Sequence, residues 1–178
     1  MVSFHRRMNA DDLFSVTHIQ NDPFTVTFNP RFYNTYLSRF AEQCYVYSSA
    51  TGGIKGYMIA KDEGYAEKNE YHVHISAVTV APEYRRQGVS RSLIDRLEND
   101  IGRAFNCTFC DLFVKATNST AISVYQNLNY VVYRRIRKYY DKEDGLDMRH
   151  SLFADPTRVS ERTPKGQGII NKWIDYPL

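Results

Sequence analysis

The sequence predicts an α/β (α+β) domain built on one mixed sheet, and three observations predict it. β-rich apolar runs alternate with helical periodicity along the chain. Residues 44–49 and 54–61 flank Thr51-Gly52-Gly53 as an antiparallel hairpin. A long amphipathic stretch, 88–104, stands between two strands and carries Val89, Leu93, Leu97 and Ile101 at every fourth position. A chain of 178 residues suits one core rather than two. Its 43% hydrophobic and 24% charged content excludes a disordered, collagenous or low-complexity scaffold. The net charge of +3 is too small for nucleic-acid binding by bulk electrostatics, so any anion site must be local.

Each element has a local cause. Apolar alternation over 2–8 predicts the first strand, and Asn9 with Asp11 and Asp12 starts a helix whose buried stripe is Leu13, Phe14, Val16 and Ile19. Residues 21–28 read as a loop. Asn29 as cap and Pro30 at the first position open a second helix through Tyr33, Tyr36, Leu37 and Phe40. After the hairpin, 71–81 is a strand stopped by Pro82, the long helix follows, and 108–115 is strand again. Asn118 caps a helix carrying Ala121, Ile122, Tyr125 and Leu128, ending at Asn129. Residues 131–140 form a strand, 141–145 a polar turn, 146–152 a last strand, and 153–178 an irregular tail.

The N-terminus lacks the apolar core of a signal peptide and no run reaches the 18 to 20 or so residues of a membrane span, so the expected address is cytoplasmic, with no membrane contact. Cys44, Cys107 and Cys110 are too few for a disulfide framework. The Cys107-x-x-Cys110 spacing lacks the further ligands a closed zinc site needs, so no metal is expected.

The chemistry concentrates at Val78-Thr79-Val80-Ala81-Pro82-Glu83-Tyr84-Arg85-Arg86-Gln87-Gly88-Val89-Ser90, where a strand runs through a basic turn into the long helix. Backbone N–H groups at a helix start are unsatisfied and carry positive partial charge, which suits a phosphate or pyrophosphate. Gly88 admits close approach, and Arg85 and Arg86 add charge. An ordinary βα turn with two solvated arginines has the same local pattern, and neither the Walker loop nor the three-glycine dinucleotide fingerprint is present.

The stretch Arg85-x-x-Gly88-x-Ser90 resembles the cofactor motif of the GNAT acetyltransferase superfamily, Arg/Gln-x-x-Gly-x-Gly/Ala, with Ser90 replacing the last small residue. The superfamily's following motif is matched by Asn118, Ala121 and Tyr125. Asn129 stands where a glycine usually precedes the aromatic Tyr130, and Asn tolerates the left-handed conformation of such a helix end. Beyond these motifs, Asp11-Asp12-Leu13-Phe14, Asn21-Asp22-Pro23, Phe32-Tyr33, Gly56-Tyr57, Asp111-Leu112-Phe113-Val114, Tyr139-Tyr140 and Asp147-Met148-Arg149 resemble the catalytic subunits of NatB-type N-terminal acetyltransferases over most of residues 1–152. One departure is Val26, which lies where those enzymes carry an acidic residue.

The resemblance implies a GNAT domain over 1–152, a mostly antiparallel mixed sheet with about four helices, and central strands splayed near 76–80 and 111–114 to admit acetyl-CoA as co-substrate. Val78, Val80, Arg85, Arg86, Gln87, Gly88, Val89, Ser90, Asn118 and Tyr125 would bind it. Tyr125 would donate a proton to the departing thiolate, although its place on the apolar stripe equally suits a core tyrosine. The acceptor would be a protein α-amine, whose pKa of about 7.7 to 8.0 leaves a useful neutral fraction near pH 7. Phe28, His72, His74, Tyr139 and Tyr140 would line the peptide path. His72 and His74 share one face, two residues apart, and would read the second residue of Met-Asp, Met-Glu, Met-Asn or Met-Gln termini, or else are plain strand histidines. Strand alternation sends Tyr139 and Tyr140 to opposite faces. A large helical auxiliary subunit would dock on the first two helices, with nascent chains as substrates. Transfer to another N-terminus, a lysine or a small amine, and a weakly active CoA-binding subunit, are the competing readings. A nucleic-acid module on Arg134-Arg135-Ile136-Arg137-Lys138 is weakened by alternation, which divides those charges between faces.

Overall fold

The computed structural model describes residues 2–19, 28–65, 67, 70–163 and 169–171. One sheet holds β1 (Ser3–Arg7), β2 (Cys44–Ser49), β3 (Ile54–Glu63), β4 (His72–Val80), β5 (Phe109–Lys115), β6 (Val131–Tyr140), β7 (Glu143–Ser151) and β8 (Ile169–Asn171), ordered β1-β2-β3-β4-β5-β7-β6-β8. Only the β4–β5 and β6–β8 pairs are parallel, so the sheet is mixed and mostly antiparallel as expected. Helices α1 (Asp12–Ile19) and α2 (Pro30–Arg39) cover one face, while α3 (Val89–Leu97) and α4 (Ser119–Gln126) cover the other. The two cores follow from strand alternation. Tyr57 and Ile59 of β3 pack with Val16 and Tyr33, whereas Met58 and Ala60 pack with Leu93, Ile94 and Leu97.

The helix starts are chemically specified. Asn9 Oδ1 accepts from the Asp12 N–H at 3.1 Å while Asp12 Oδ2 accepts from the Asn9 N–H at 2.9 Å, a reciprocal cap. Asp12 also takes both Arg6 nitrogens, at 2.6 and 2.7 Å. Asn29 caps α2 through the Phe32 N–H, with Pro30 first in the helix. Asn129 takes φ of 67°, the left-handed turn its position demands.

Four expectations are corrected. Phe14 is 78% exposed rather than part of the stripe of α1, because the sheet beneath that short helix reaches only Val16, Ile19 and, in part, Leu13. The long helix stays α-helical only to Leu97. Residues Glu98–Gly102 form a π-turn that brings Ile101 and Gly102 inward, with Gly102 against Leu152, and the helix resumes at 103–104. The polar turn shrinks to 141–142 and β7 starts at Glu143, since Tyr140 pairs directly with Glu143. The segment from 153 is not wholly irregular. Asp155 accepts from the Val159 and Ser160 N–H groups at 3.1 and 2.8 Å to build a short turn, and β8 pairs with the otherwise open edge of β6 at Arg135–Arg137. The expected loop at 21–28 and its Asn21-Asp22-Pro23 and Val26 positions lie outside the described residues, apart from Phe28.

Candidate active site

Strands β4 and β5 pair only from His72↔Phe109 to Ile75↔Leu112. The cause is local. The β3 register jumps from Ile59↔Ala77 to Ala60↔Ile75, leaving Ser76 as an extra residue that bends β4 away from β5. The Tyr36 hydroxyl holds Ser76 Oγ at 2.7 Å, anchoring the bend to α2. Beyond it, Ala81 N–H bonds Lys55 O, so alternation turns the N–H and C=O groups of Val78 and Val80 toward the opening. On the opposite wall, Leu152 N–H bonds Thr108 O and Ala116 N–H bonds Asp144 O, which aims the Phe113 carbonyl into the same gap. The Tyr140 hydroxyl donates to that carbonyl at 2.9 Å.

The opening ends at the basic turn. Arg86 and Gly88 take φ of 58° and 79°, and a Cβ at Gly88 would meet nothing within 4 Å, so the turn is left-handed and open. No side chain caps α3. Its first N–H groups at Val89 and Ser90 are therefore left without a side-chain cap, the condition an anion site at a helix start requires. Gly56 lets this turn sit low on the sheet, since a Cβ there would come within 2.8 Å of Thr79 O and 3.0 Å of the Val89 side chain. Arg85 Nε donates to Val80 O at 3.2 Å and Gln87 Nε2 to Glu83 O at 3.0 Å, so these side chains brace the turn. Arg86 is exposed beside it. Arg91 reaches Asn127 O at 2.9 Å and ties α3 to α4.

On α4, Asn118 Oδ1 accepts from the Ala121 N–H at 3.0 Å, which establishes its capping role. Tyr125 is half-buried against the α3 core, its ring 6.0 Å from that of Tyr130. Its hydroxyl has no hydrogen-bond partner among the described residues. Burial pushes its phenol up to about 12, so it carries its proton at neutral pH.

Around β4, β5 and β7 the face opposite α3 is polar. His74 Nδ1 lies 2.8 Å from Asp111 Oδ1, and its ring tilts on Phe113 at 5.1 Å. His72 stacks on Phe109 at 4.4 Å, with Nδ1 on Glu70 O at 2.6 Å and Nε2 3.5 Å from Glu63 and 3.8 Å from Asp111. Burial opposes the charge on His72, but the Glu63 hydrogen bond and Asp111 raise its pKa on balance. Burial likewise opposes ionisation of Glu63, yet hydrogen bonds from His72 and Lys61 hold it at about 2. Asp111 is buried, which alone would raise its pKa, and the adjoining His74 outweighs that. Asp147 is different: burial and the Asp111 charge raise it despite Arg149 and Arg134. The rings of Tyr139 and Tyr140 meet edge to face at 4.9 Å, and Tyr139 also packs on Phe113 at 4.8 Å. The expectation of opposite faces fails because Lys138 takes φ of 53° at a register shift between Ile136 and Tyr140. Burial pushes Tyr139 up to about 12. Phe28 stacks on Phe32 at 4.0 Å, and Phe32 leads to Tyr36 at 4.5 Å.

The turn, Val78 and Val80 thus line the opening, Tyr125 packs on the same cluster as Val78 and Val80 while Asn118 caps α4, and His74, Phe113, Tyr139 and Tyr140 form one ring chain on the other face. His72 is 8% exposed and faces protein groups. Sequence reasoning assigned no site role to Asp111, Glu63, Asp147, Arg149 or Ser76, and named Tyr36 only as a residue of the second helix. A signal existed for the first: an acid inside Phe109-Cys110-Asp111-Leu112-Phe113-Val114 must find a partner when the strand is buried.

A model of the acetyltransferase (GNAT) family matches residues 13–130. Over 156 residues the chain is 42% identical to the N-terminal acetyltransferase B complex catalytic subunit of Arabidopsis thaliana, covering 87% of this chain and 88% of that one. It is 43% identical over 164 residues to the corresponding Schizosaccharomyces pombe subunit, with 88% and 89% covered. Among solved structures, Chaetomium thermophilum Naa20 in complex with a bisubstrate analogue superposes with a TM-score of 0.84 at 32% identity, covering 94% of this chain and 96% of that one. The NatB acetyltransferase complex bound to a bisubstrate inhibitor gives 0.83 at 33%, with 97% and 99% covered.

Proposed function

The chain belongs to the acetyltransferase (GNAT) family as an N-terminal acetyltransferase of the NatB catalytic-subunit type, and we propose that it moves the acetyl group of acetyl-CoA onto protein α-amines at Met-Asp, Met-Glu, Met-Asn and Met-Gln termini. The observation that carries the reading is the opening between β4 and β5, lined by backbone groups and ending at an uncapped helix start.

In this reading the pyrophosphate rests on the N–H groups from Gln87 to Ser90, with Arg85 and Arg86 alongside, and the pantetheine pairs with Val78 and Val80 and meets Asn118. The thioester then lies between Tyr125 and the peptide end. The neutral α-amine attacks the thioester carbonyl, the C–S bond breaks, and Tyr125 protonates the departing thiolate; no covalent enzyme intermediate is needed. The α-amine proton leaves to solvent or a nearby base. Phe28, Tyr139 and Tyr140 shape the peptide path and His74 meets the second residue. His72, enclosed by Phe109, Glu63 and Glu70, supports His74 from behind.

Residues 1–152 form the catalytic domain and 153–178 an appended segment. The enzyme acts beside an auxiliary subunit, helical and docked on α1 and α2, where Phe14 is exposed and Phe32 and Tyr36 remain only partly covered. Substrates are nascent chains in the cytoplasm. Among the described residues no helix is long and apolar enough to cross a membrane.

A panel of N-terminal peptides tests the proposal. Met-Asp and Met-Asn peptides should exceed Met-Leu, Ser and Ala peptides by at least about tenfold in kcat/KM, because an unpaired polar pocket costs about 1 to 3 kcal/mol. Equal rates across the panel, or transfer only to lysine, would overturn it.

A further inference from the structure

We propose that Asp111 is a positioning residue for substrate selection: it fixes which nitrogen of His74 permanently bears hydrogen, and so makes the choice between acid and amide at the substrate's second residue depend on pH. This rests on the reading of His74 as the group that meets that residue.

The geometry is over-determined. Asp111 pairs with His74 across the β4–β5 ladder and with Arg149 across β5–β7, so its backbone is held on both sides. Its Oδ1 sits 2.8 Å from His74 Nδ1. An ionised carboxylate only accepts hydrogen bonds, so Nδ1 carries hydrogen whether the ring is neutral or charged. Nε2 is then the one nitrogen that gains or loses a proton. Phe113 braces the ring face.

That constraint gives the two substrate types different requirements. A neutral Nε2 is an acceptor, and a protonated one is a donor. The carboxylate of Met-Asp or Met-Glu can only accept, so it pairs with the protonated ring alone. The amide of Met-Asn or Met-Gln offers both a carbonyl and an NH2, and turning it over satisfies either state. When the ring is neutral, acid-type substrates lose their partner while amide-type substrates keep one, so higher pH favours the amide type.

Among the described residues, the titratable and charged groups in this polar face are His72 on the same strand, Lys61 and Glu63 on β3, Asp111 on β5, Arg134 and Tyr139 on β6, Asp147 and Arg149 on β7, and Tyr36 on α2. The Asp111 contact among them sets the direction of the effect.

The test is a ratio. kcat/KM is measured for two peptides differing only in Asp or Asn at the second position, between roughly pH 6 and 9, on enzyme purified with whatever subunit accompanies it. Ionisation of the shared α-amine and of Tyr125 cancels in the ratio. The Met-Asp to Met-Asn ratio should fall by about tenfold or more across that range, the difference between a charge-assisted hydrogen bond and an unpaired one. Asp111→Asn, whose amide can accept from or donate to Nδ1, should flatten the ratio while stabilisation by CoA persists. His74→Gln should flatten it too. A wild-type ratio independent of pH, or a wild-type slope surviving in either variant, would overturn the proposal. The wild-type ratio requires no variant to fold. Equal rates on Met-Asp, Met-Asn and Met-Leu peptides at every pH would instead remove the underlying reading of His74.

Discussion

Between His72 and Ile75, β4 pairs with β5 residue for residue, whereas from Ser76 onward the same two strands share no ladder. The closed half buries Val73, Ile75, Cys110 and Leu112 and satisfies its backbone within the sheet. The open half presents backbone groups of Val78, Val80 and Phe113 to a gap, two of their carbonyls already taken by Arg85 and Tyr140. The difference teaches how one sheet supplies both rigidity and binding. A single extra residue at Ser76 converts strand pairing, which stabilises the fold, into unused hydrogen-bonding capacity, which a ligand completes.

Mutations should divide along that line. Leu112→Ala, in the closed half at 2% exposure, should cost about 2 to 5 kcal/mol of fold stability by leaving a cavity, measured by denaturant unfolding. A loss under about 1 kcal/mol would show that the seam is not a core element. Tyr125→Phe, beside the open half, should do the reverse: kcat falls by about 100-fold with CoA affinity and stability nearly unchanged. Normal turnover would return Tyr125 to a purely packing role.

CoA itself should stabilise the protein by about 2.7 kcal/mol at 100 times its dissociation constant, because it completes the open half only in the folded state. Arg85→Glu with Gly88→Glu should remove that thermal shift, since both add negative charge at the proposed pyrophosphate site and the second also strains a left-handed position. An undiminished shift would place the cofactor elsewhere. Asn29→Ala should cost about 1 kcal/mol of stability through loss of the α2 cap, measured by denaturant unfolding.

The smallest effect concerns pH and the closed half. His72 has a raised folded pKa, so its contribution to stability is fully present below the unfolded value of about 6.5 and fades as pH rises through the folded one. His150, raised chiefly by its hydrogen bond to Glu98, acts in the same direction. In a His150→Gln background, the stability gap between His72 and His72→Gln should shrink from pH 6 or so to about pH 9. A gap that widens would contradict the assigned direction.

Much of the fold was legible because its causes are local. Asn9, Asn29 and Asn118 announced three helix starts, Thr51-Gly52-Gly53 a hairpin, and Asn129 a left-handed helix end, since each acts through its own or adjacent backbone groups. The left-handed turn at Gly88 and the Asn118 cap, on which the proposed cofactor site is built, were legible for the same reason: contiguous chain builds them. Only tertiary structure decided the rest. The π-turn at Glu98–Gly102 follows from how that segment seats against Leu152, and β8 follows from an edge left open on β6. The meeting of Tyr139 with Tyr140 depends on a register shift against β7. Asp111 met His74 only because two strands 37 positions apart in sequence pair in one register, and a carboxylate's partner is set by that register rather than by anything near it in the chain.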